Sequence, residues 1–114
     1  IIKVGILLGT DRIGGTENQM ALLASGLRAK GVLVHVFILN WTRTKSKHRD
    51  FIEFDCPHYY LFDNRYFKSL SEILFTRYIK NNNYDILLIN GAQRNIEIAI
   101  KSKKYINNIF IIFI

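Results

Sequence analysis

Gly9-Thr10-Asp11-Arg12-Ile13-Gly14-Gly15-Thr16-Glu17-Asn18-Gln19 is a polar turn between two apolar stretches of different period. Before it, Ile1-Ile2-Lys3-Val4-Gly5-Ile6-Leu7-Leu8 is rich in branched side chains with almost no polar alternation, which predicts a buried strand. After it, Met20, Leu23, Ala24 and Leu27 recur at helical spacing until Lys30-Gly31 ends the run. The turn therefore joins a strand to a helix. Thr16 with Gln19 three residues on fits a capping box, hydroxyl to backbone N–H and amide reaching back, which sets the helix start at Thr16. Gly14 and Gly15 just ahead of it let a ligand come close to bare N–H groups at the positive end of a helix dipole. Two glycines alone would equally make a tight connection. The extra length of the loop, with Asp11, Arg12 and Glu17 in it, favours an anion site.

A chain of 114 residues, 49% of them hydrophobic, is expected to form one domain with a core of its own. No apolar run approaches the roughly 18 residues of a membrane-spanning helix, so a soluble globular protein is expected. The apolar opening carries neither a basic leader nor a small-residue cleavage site, which argues against a secretory signal. The single Cys56 excludes an internal disulfide and a multi-cysteine metal site, and a cytoplasmic chain is the natural expectation. The net charge of +7 is spread unevenly. Arg43, Lys45, Lys47, His48 and Arg49 form one basic run, and Lys101, Lys103 and Lys104 another. Such runs suit solvated loops and helix ends, and can also meet nucleic acid, an anionic membrane or a phosphorylated substrate. With no zinc pattern, aromatic RNP motif or recognition helix, a dedicated nucleic-acid domain is disfavoured.

Further along, residues 32–39 read as a second strand, interrupted only by His35, which is expected to be a satisfied strand residue. Residues 41–50 are a basic loop in which Trp41 is expected to pack over the end of the sheet. Residues 51–55 and 58–62 are short strand-like pieces separated by Pro57. A turn at Asp63-Asn64-Arg65 precedes a helix over residues 66–80, with an apolar face made by Phe67, Leu70, Ile73, Leu74, Tyr78 and Ile79 that is expected to pack on a sheet. Asn81-Asn82-Asn83 ends it. Residues 84–89 form a third buried strand that stops at the polar turn Asn90-Gly91-Ala92-Gln93-Arg94-Asn95, and Ile96, Ala99 and Ile100 mark the next helix. Its closing lysines complement the helix dipole. Residues 109–114 read as a fourth buried strand, and so apolar a finish suits the first part of a longer protein.

Strands alternating with helices predict an α/β fold: a three-layer, Rossmann-like parallel sheet with helices on both faces. Such sheets bind ligands beyond the carboxyl ends of their strands, which brings the Gly14-Gly15 and Asn90-Gly91 loops to one crevice.

Ile13-Gly14-Gly15-Thr16-Glu17, the helix ending Leu27-Arg28-Ala29-Lys30-Gly31, and the valine-rich strand after it resemble the N-terminal domain of family 4 glycosyltransferases of the GT-B fold. There the loop typically reads GGxE. Tyr84-Asp85-Ile86-Leu87-Leu88-Ile89-Asn90-Gly91-Ala92-Gln93 is similar to the family's later strand, which often runs into His-x-His-Gly at the cleft. The resemblance extends along the whole chain, is strongest over residues 1–39 and 84–100, and is weak in the basic middle.

The resemblance implies an incomplete GT-B enzyme: residues 1–114 as the acceptor-side N-terminal domain, with the C-terminal donor-binding domain absent and the isolated chain inactive. The activity implied is retaining transfer of a sugar from a nucleotide-sugar donor to a glycan or glycolipid acceptor, as in polysaccharide synthesis. On this resemblance Gly14, Gly15 and Thr16 meet the donor's phosphates, and Glu17, Asn90, Gly91 and Arg94 meet acceptor or sugar. The basic loop of Arg43, Lys45, Lys47 and Arg49 would select the acceptor or touch an anionic membrane from the cytoplasmic side, an expectation drawn from charge alone. No metal or other cofactor is expected, because the nucleotide-sugar is a substrate and fixed amides can stabilise a diphosphate leaving group. The sequence departs from the family at Leu88 and Asn90, where histidines are frequent; asparagine can hydrogen-bond a sugar but cannot exchange a proton near neutral pH. The alternative is a stand-alone, non-catalytic Rossmann-like nucleotide-binding module. Its dinucleotide form is disfavoured because Gly9, Gly14 and Gly15 do not make G-x-G-x-x-G, and no P-loop sequence occurs. A basic adaptor for RNA or DNA is a third, weaker reading.

Overall fold

The computed structural model describes residues 1–12, 14–40, 52, 54–64, 66, 68–104 and 109–114. The basic loop with Arg43, Lys45, Lys47 and Arg49 lies outside the described residues, as do Trp41 and Phe67. The elements run β1 (Lys3–Thr10), α1 (Gly15–Ala29), β2 (Leu33–Asn40), β3 (His58–Tyr60), α2 (Lys68–Asn82), β4 (Ile86–Ile89), α3 (Gln93–Lys103) and β5 (Phe110–Phe113). The strands form one sheet in the order β3-β2-β1-β4-β5, every neighbouring pair parallel. Parallel neighbours must be re-entered from the same end, so α1 carries the chain from β1 to β2, α2 from β3 to β4, and α3 from β4 to β5. This is the Rossmann-like α/β architecture.

Strand alternation divides the core into two layers. Val4, Ile6 and Leu8 of β1, with Val34, Val36 and Ile38 of β2, pack against Met20 and Ala24 of α1. Leu7, Phe37, Leu39, Leu87 and Ile89 point to the opposite face and pack against Phe75 and Ile79 of α2 and Ile98 and Ala99 of α3. Gly31, at φ 84°, closes α1: its N–H donates to Arg28 O at 3.0 Å and Val32 N–H donates to Leu27 O at 3.1 Å, so the chain leaves the helix straight into β2. His35 is satisfied as expected, with Nδ1 2.5 Å from the Tyr84 hydroxyl and its ring edge-on to Tyr59 and Tyr84. Burial, then the nearby Lys3, pushes its pKa below the ordinary value.

The structure corrects several expectations. Helix α1 starts at Gly15, with Gly14 as an N-cap that makes no side-chain capping bond. Thr16 therefore sits inside the first turn, and no capping box with Gln19 forms. Among the described residues of the segment around Pro57, only His58–Tyr60 joins the sheet, on the side where Pro57 O accepts from Val36 N–H at 3.0 Å. Ile52 and Phe54 lie outside any strand. Helix α2 begins and ends two residues later than its hydrophobic pattern suggested, closing at Asn83 with φ 51°. Its buried face is Ser71, Phe75 and Ile79, and Leu70 and Ile73 are 50% and 56% exposed. The aromatic contact decides this rotation: Phe75 stands edge-on to Phe37 with ring centroids 5.3 Å apart. On α3, likewise, Ile98 and Ala99 are buried and Ile100 is exposed. β5 is an edge strand. Ile109 and Ile111 pack against the core, but Phe110 is 78% exposed and Ile112, Phe113 and Ile114 are exposed too, so the expectation of a fully buried last strand fails. β5 pairs only with β4 among the described residues, and alternation turns Phe110 and Ile112 to a face that no described element covers.

Candidate functional site

The strand order reverses between β1 and β4, because the chain leaves β1 toward β2 on one side and later returns to β4 on the other. Such a reversal opens a crevice beyond the carboxyl ends of the two strands. The turn after β1 leads into α1 and the turn after β4 leads into α3, so both loops singled out from the sequence stand at this end. They are tied together under the crevice: Asn90 N–H donates to Leu7 O at 3.1 Å, and the buried Asn95 amide lies 3.8 Å from where a Cβ on Gly9 would be.

In the first loop, Arg12 N–H donates to Thr10 Oγ1 at 3.2 Å, a local turn that starts the chain toward the helix. Gly14 is extended, at φ −148° and ψ 172°, and its carbonyl accepts from Asn18 N–H at 2.9 Å. No described residue accepts a hydrogen bond from the amides of Gly14, Gly15 or Thr16. A Cβ added at Gly15 would meet nothing within 4 Å, so this turn faces open space. Gly14 differs: a Cβ there would lie 2.6 Å from Glu17 Oε2. The Glu17 carboxylate folds back over the helix N-terminus, where the dipole favours negative charge.

One of the loop charges that the sequence reading took in favour of an anion site, Asp11, is instead turned into the protein. Asp11 is fully buried; its Oδ2 accepts from the Tyr60 hydroxyl of β3 at 2.9 Å, and its carbonyl accepts from Ile52 N–H at 2.9 Å. Tyr60 lies 49 residues away, so nothing local to Asp11 could have revealed the pairing.

In the second loop, Asn90 is buried at the end of β4, and no described residue hydrogen-bonds its side-chain amide. Its carbonyl accepts from Asn95 Nδ2 at 3.1 Å, which leaves Asn95 Oδ1 as a buried oxygen without a partner among the described residues. Gly91 serves packing: its N–H donates to Ile114 O at 2.8 Å, and a Cβ would lie 2.8 Å from that same oxygen. Gly91→Ala is therefore expected to push the end of β5 off the sheet at a cost of about 1–3 kcal/mol. A lowered urea midpoint, with faster exchange of the Ile114 amide that donates to Ile89 O, would register it.

Arg94, in the first turn of α3, is taken up by side chains and a carbonyl of other parts of the chain. Its Nε and Nη2 hold the Asp63 carboxylate at 3.0 and 2.8 Å, and Nη1 reaches Glu72 at 3.2 Å and Glu97 at 3.3 Å. Nη2 also reaches Lys68 O and Ser71 Oγ, so every donor of the guanidinium is engaged. Hydrogen bonding to Asp63 drives its pKa further up. Gly14, Gly15, Thr16, Glu17 and Asn90 thus stand at the same end of the sheet, and Arg94 braces α3 against α2. Among the described residues no three His, Cys, Asp or Glu side chains converge as metal ligands.

No protein-family model and no curated protein matches the chain. Among solved structures it is similar to the one titled crystal structure of glycosyltransferase from Rickettsia africae ESF-5, with a TM-score of 0.69 at 15% sequence identity. The match covers 98% of this chain and 29% of that one, so this chain spans under a third of that protein's length. What the two share at this identity is the fold, a Rossmann-like α/β unit that one glycosyltransferase also contains.

Proposed function

We propose that residues 1–114 act as the acceptor-side, N-terminal domain of a GT-B glycosyltransferase, with the turn into α1 receiving the diphosphate of a nucleotide-sugar donor. The observation that carries this reading is the set of amides of Gly14, Gly15 and Thr16, at a helix N-terminus beyond the carboxyl end of β1, that no described residue engages. As the glycosidic bond breaks, charge gathers on the departing diphosphate, and N–H groups already aimed at it stabilise that charge without reorganising. Asn90, its side-chain amide bonded by no described residue, would hydrogen-bond a sugar or acceptor hydroxyl but not move a proton. Glu17 shares the helix terminus, so an arriving diphosphate has to turn its carboxylate aside, toward the sugar. A second domain supplies the remaining donor contacts, and transfer proceeds with retention, as the family resemblance implies.

The test is a titration with inorganic pyrophosphate, followed through the backbone amide resonances. The Gly14, Gly15 and Thr16 signals are expected to shift first. Gly15→Val, which has room to fold unchanged, should weaken binding roughly tenfold or more by standing between anion and amides. Glu17→Gln should strengthen it by removing the competing charge. Shifts confined to other parts of the chain, or indifference to valine at Gly15, would defeat the proposal.

A further inference from the structure

Helices α2 and α3 lie side by side over one face of the sheet, and their outer surfaces enclose an open groove of about 680 Å³. Arg77, Lys80, Lys101 and Lys104 line it, with Glu72 and Ile73. The carboxylates of this region offer little counter-charge: Glu72 is held by Arg94 and Lys101, and Glu97 by Arg94. Arg77 and Lys104 have no carboxylate partner among the described residues. Beside the cations stand exposed aliphatic side chains, Leu70 and Ile73 on α2 and Ile100 on α3. Helical spacing puts Leu70, Ile73, Arg77 and Lys80 on the side of α2 opposite Ser71, Phe75 and Ile79, and puts Ile100 beside Lys104 on α3. The α2 aliphatics that the sequence assigns to a sheet-packing stripe thus face outward, where burial against this chain does not account for them.

We propose that this α2–α3 face docks on an anionic phospholipid bilayer. Branched aliphatics flanked by long cationic side chains match the boundary between acyl chains and phosphate headgroups: the aliphatics enter the hydrocarbon edge while the lysine and arginine stems keep their charges at the phosphates. A nucleic-acid backbone would use the cations but gains nothing from three exposed aliphatics. This surface belongs to the helical layer, is independent of the crevice and of the glycosyltransferase reading, and stands apart from the run Arg43 to Arg49.

The experiment is flotation of the full chain with vesicles of phosphatidylcholine, alone or with one third phosphatidylglycerol, at physiological ionic strength. Binding is expected to the anionic vesicles and not to the neutral ones. Arg77→Gln with Lys104→Gln should lower the partition coefficient on the order of 30-fold, at roughly fivefold per cation. Leu70→Ser with Ile73→Ser, at unchanged charge, should lower it about tenfold or more. Lys30→Glu, an equal change of charge at the exposed end of α1 on the other side of the sheet, should leave it nearly unchanged. All five positions are exposed, and a retained cooperative melt shows that each variant folds. Four outcomes would overturn the proposal: no anionic binding, equal binding to neutral vesicles, as large a loss with Lys30→Glu as with the Arg77 and Lys104 pair, or binding to oligonucleotides but not vesicles.

Discussion

Phe37→Ala is expected to cost about 3–5 kcal/mol of folding stability, a large part of the roughly 5–15 kcal/mol available to a domain of this size. Phe37 is fully buried in the middle of the sheet, and four aromatic rings converge on it. Tyr59 stacks at a centroid distance of 5.6 Å, Phe75 stands edge-on at 5.3 Å, and Tyr78 and Tyr84 approach to 5.5 and 5.8 Å. Alanine would leave a cavity that rings from β3, α2 and the approach to β4 cannot all collapse to fill. Urea unfolding should show a large fall in midpoint, and Phe37→Leu, which keeps most of the volume, should recover much of it. Phe110→Ala is the matched control. It also removes a phenyl ring from an apolar run, but from an exposed edge position, and should change stability by no more than about 0.5 kcal/mol.

The second large effect is at Arg94. Its side chain is only 19% exposed, and the carboxylates of Asp63 and Glu72 that it holds are 9% and 18% exposed. Arg94→Met would preserve much of the volume while leaving the shielded Asp63 carboxylate without its cation and Glu72 with Lys101 alone. Breaking a buried pair costs about 3–5 kcal/mol, and the residual solvent contact here reduces the expected loss to roughly 2–4 kcal/mol. Adding Asp63→Asn should return part of it, and the double-mutant cycle measures how much. The acid limb of the stability curve is a further readout. Burial alone would raise the Asp63 pKa, but hydrogen bonds from Arg94 and Ser71 and the charges of Arg94 and Lys68 outweigh it, and the net value lies below the ordinary 3.8. A carboxyl whose folded pKa is depressed binds its proton more readily when unfolded, so its contribution is complete above the unfolded value, near pH 4, and disappears as pH falls through the folded one. Wild-type stability should therefore decline below about pH 4, and the slope should flatten in Arg94→Met.

The strands and helices were legible because their signals lie in contiguous residues. The unbroken apolar run Val4 to Leu8 marks a buried strand, and Met20, Ala24 and Leu27 follow a helical repeat. The alternation of the two element types implied a parallel sheet, and parallel sheets place ligand loops at one end, so Gly14 and Asn90 could be assigned to a common crevice before any coordinates. Rotation about a helix axis was not legible to the same degree. Leu70, Ile73 and Ile100 are as apolar as Phe75, Ile79 and Ile98, and composition does not say which set meets the sheet. Phe37 settled it by presenting an aromatic surface that Phe75 fits.

Roles that depend on a distant partner were beyond reach for the same reason. Arg94 sits in a polar turn next to the crevice, where a ligand contact is a fair expectation, yet Asp63 and Glu72 come from 31 and 22 residues away and engage it fully. Asp11 looked like one more charge in a loop until Tyr60 was brought against it. Local repeats in the chain settled which segments are strands and helices and at which end of the sheet the turns stand, since those choices turn on interactions among near neighbours. Folding alone settled which face of each helix is covered and which charges are neutralised inside the protein, because each requires groups far apart in sequence to compete for the same space.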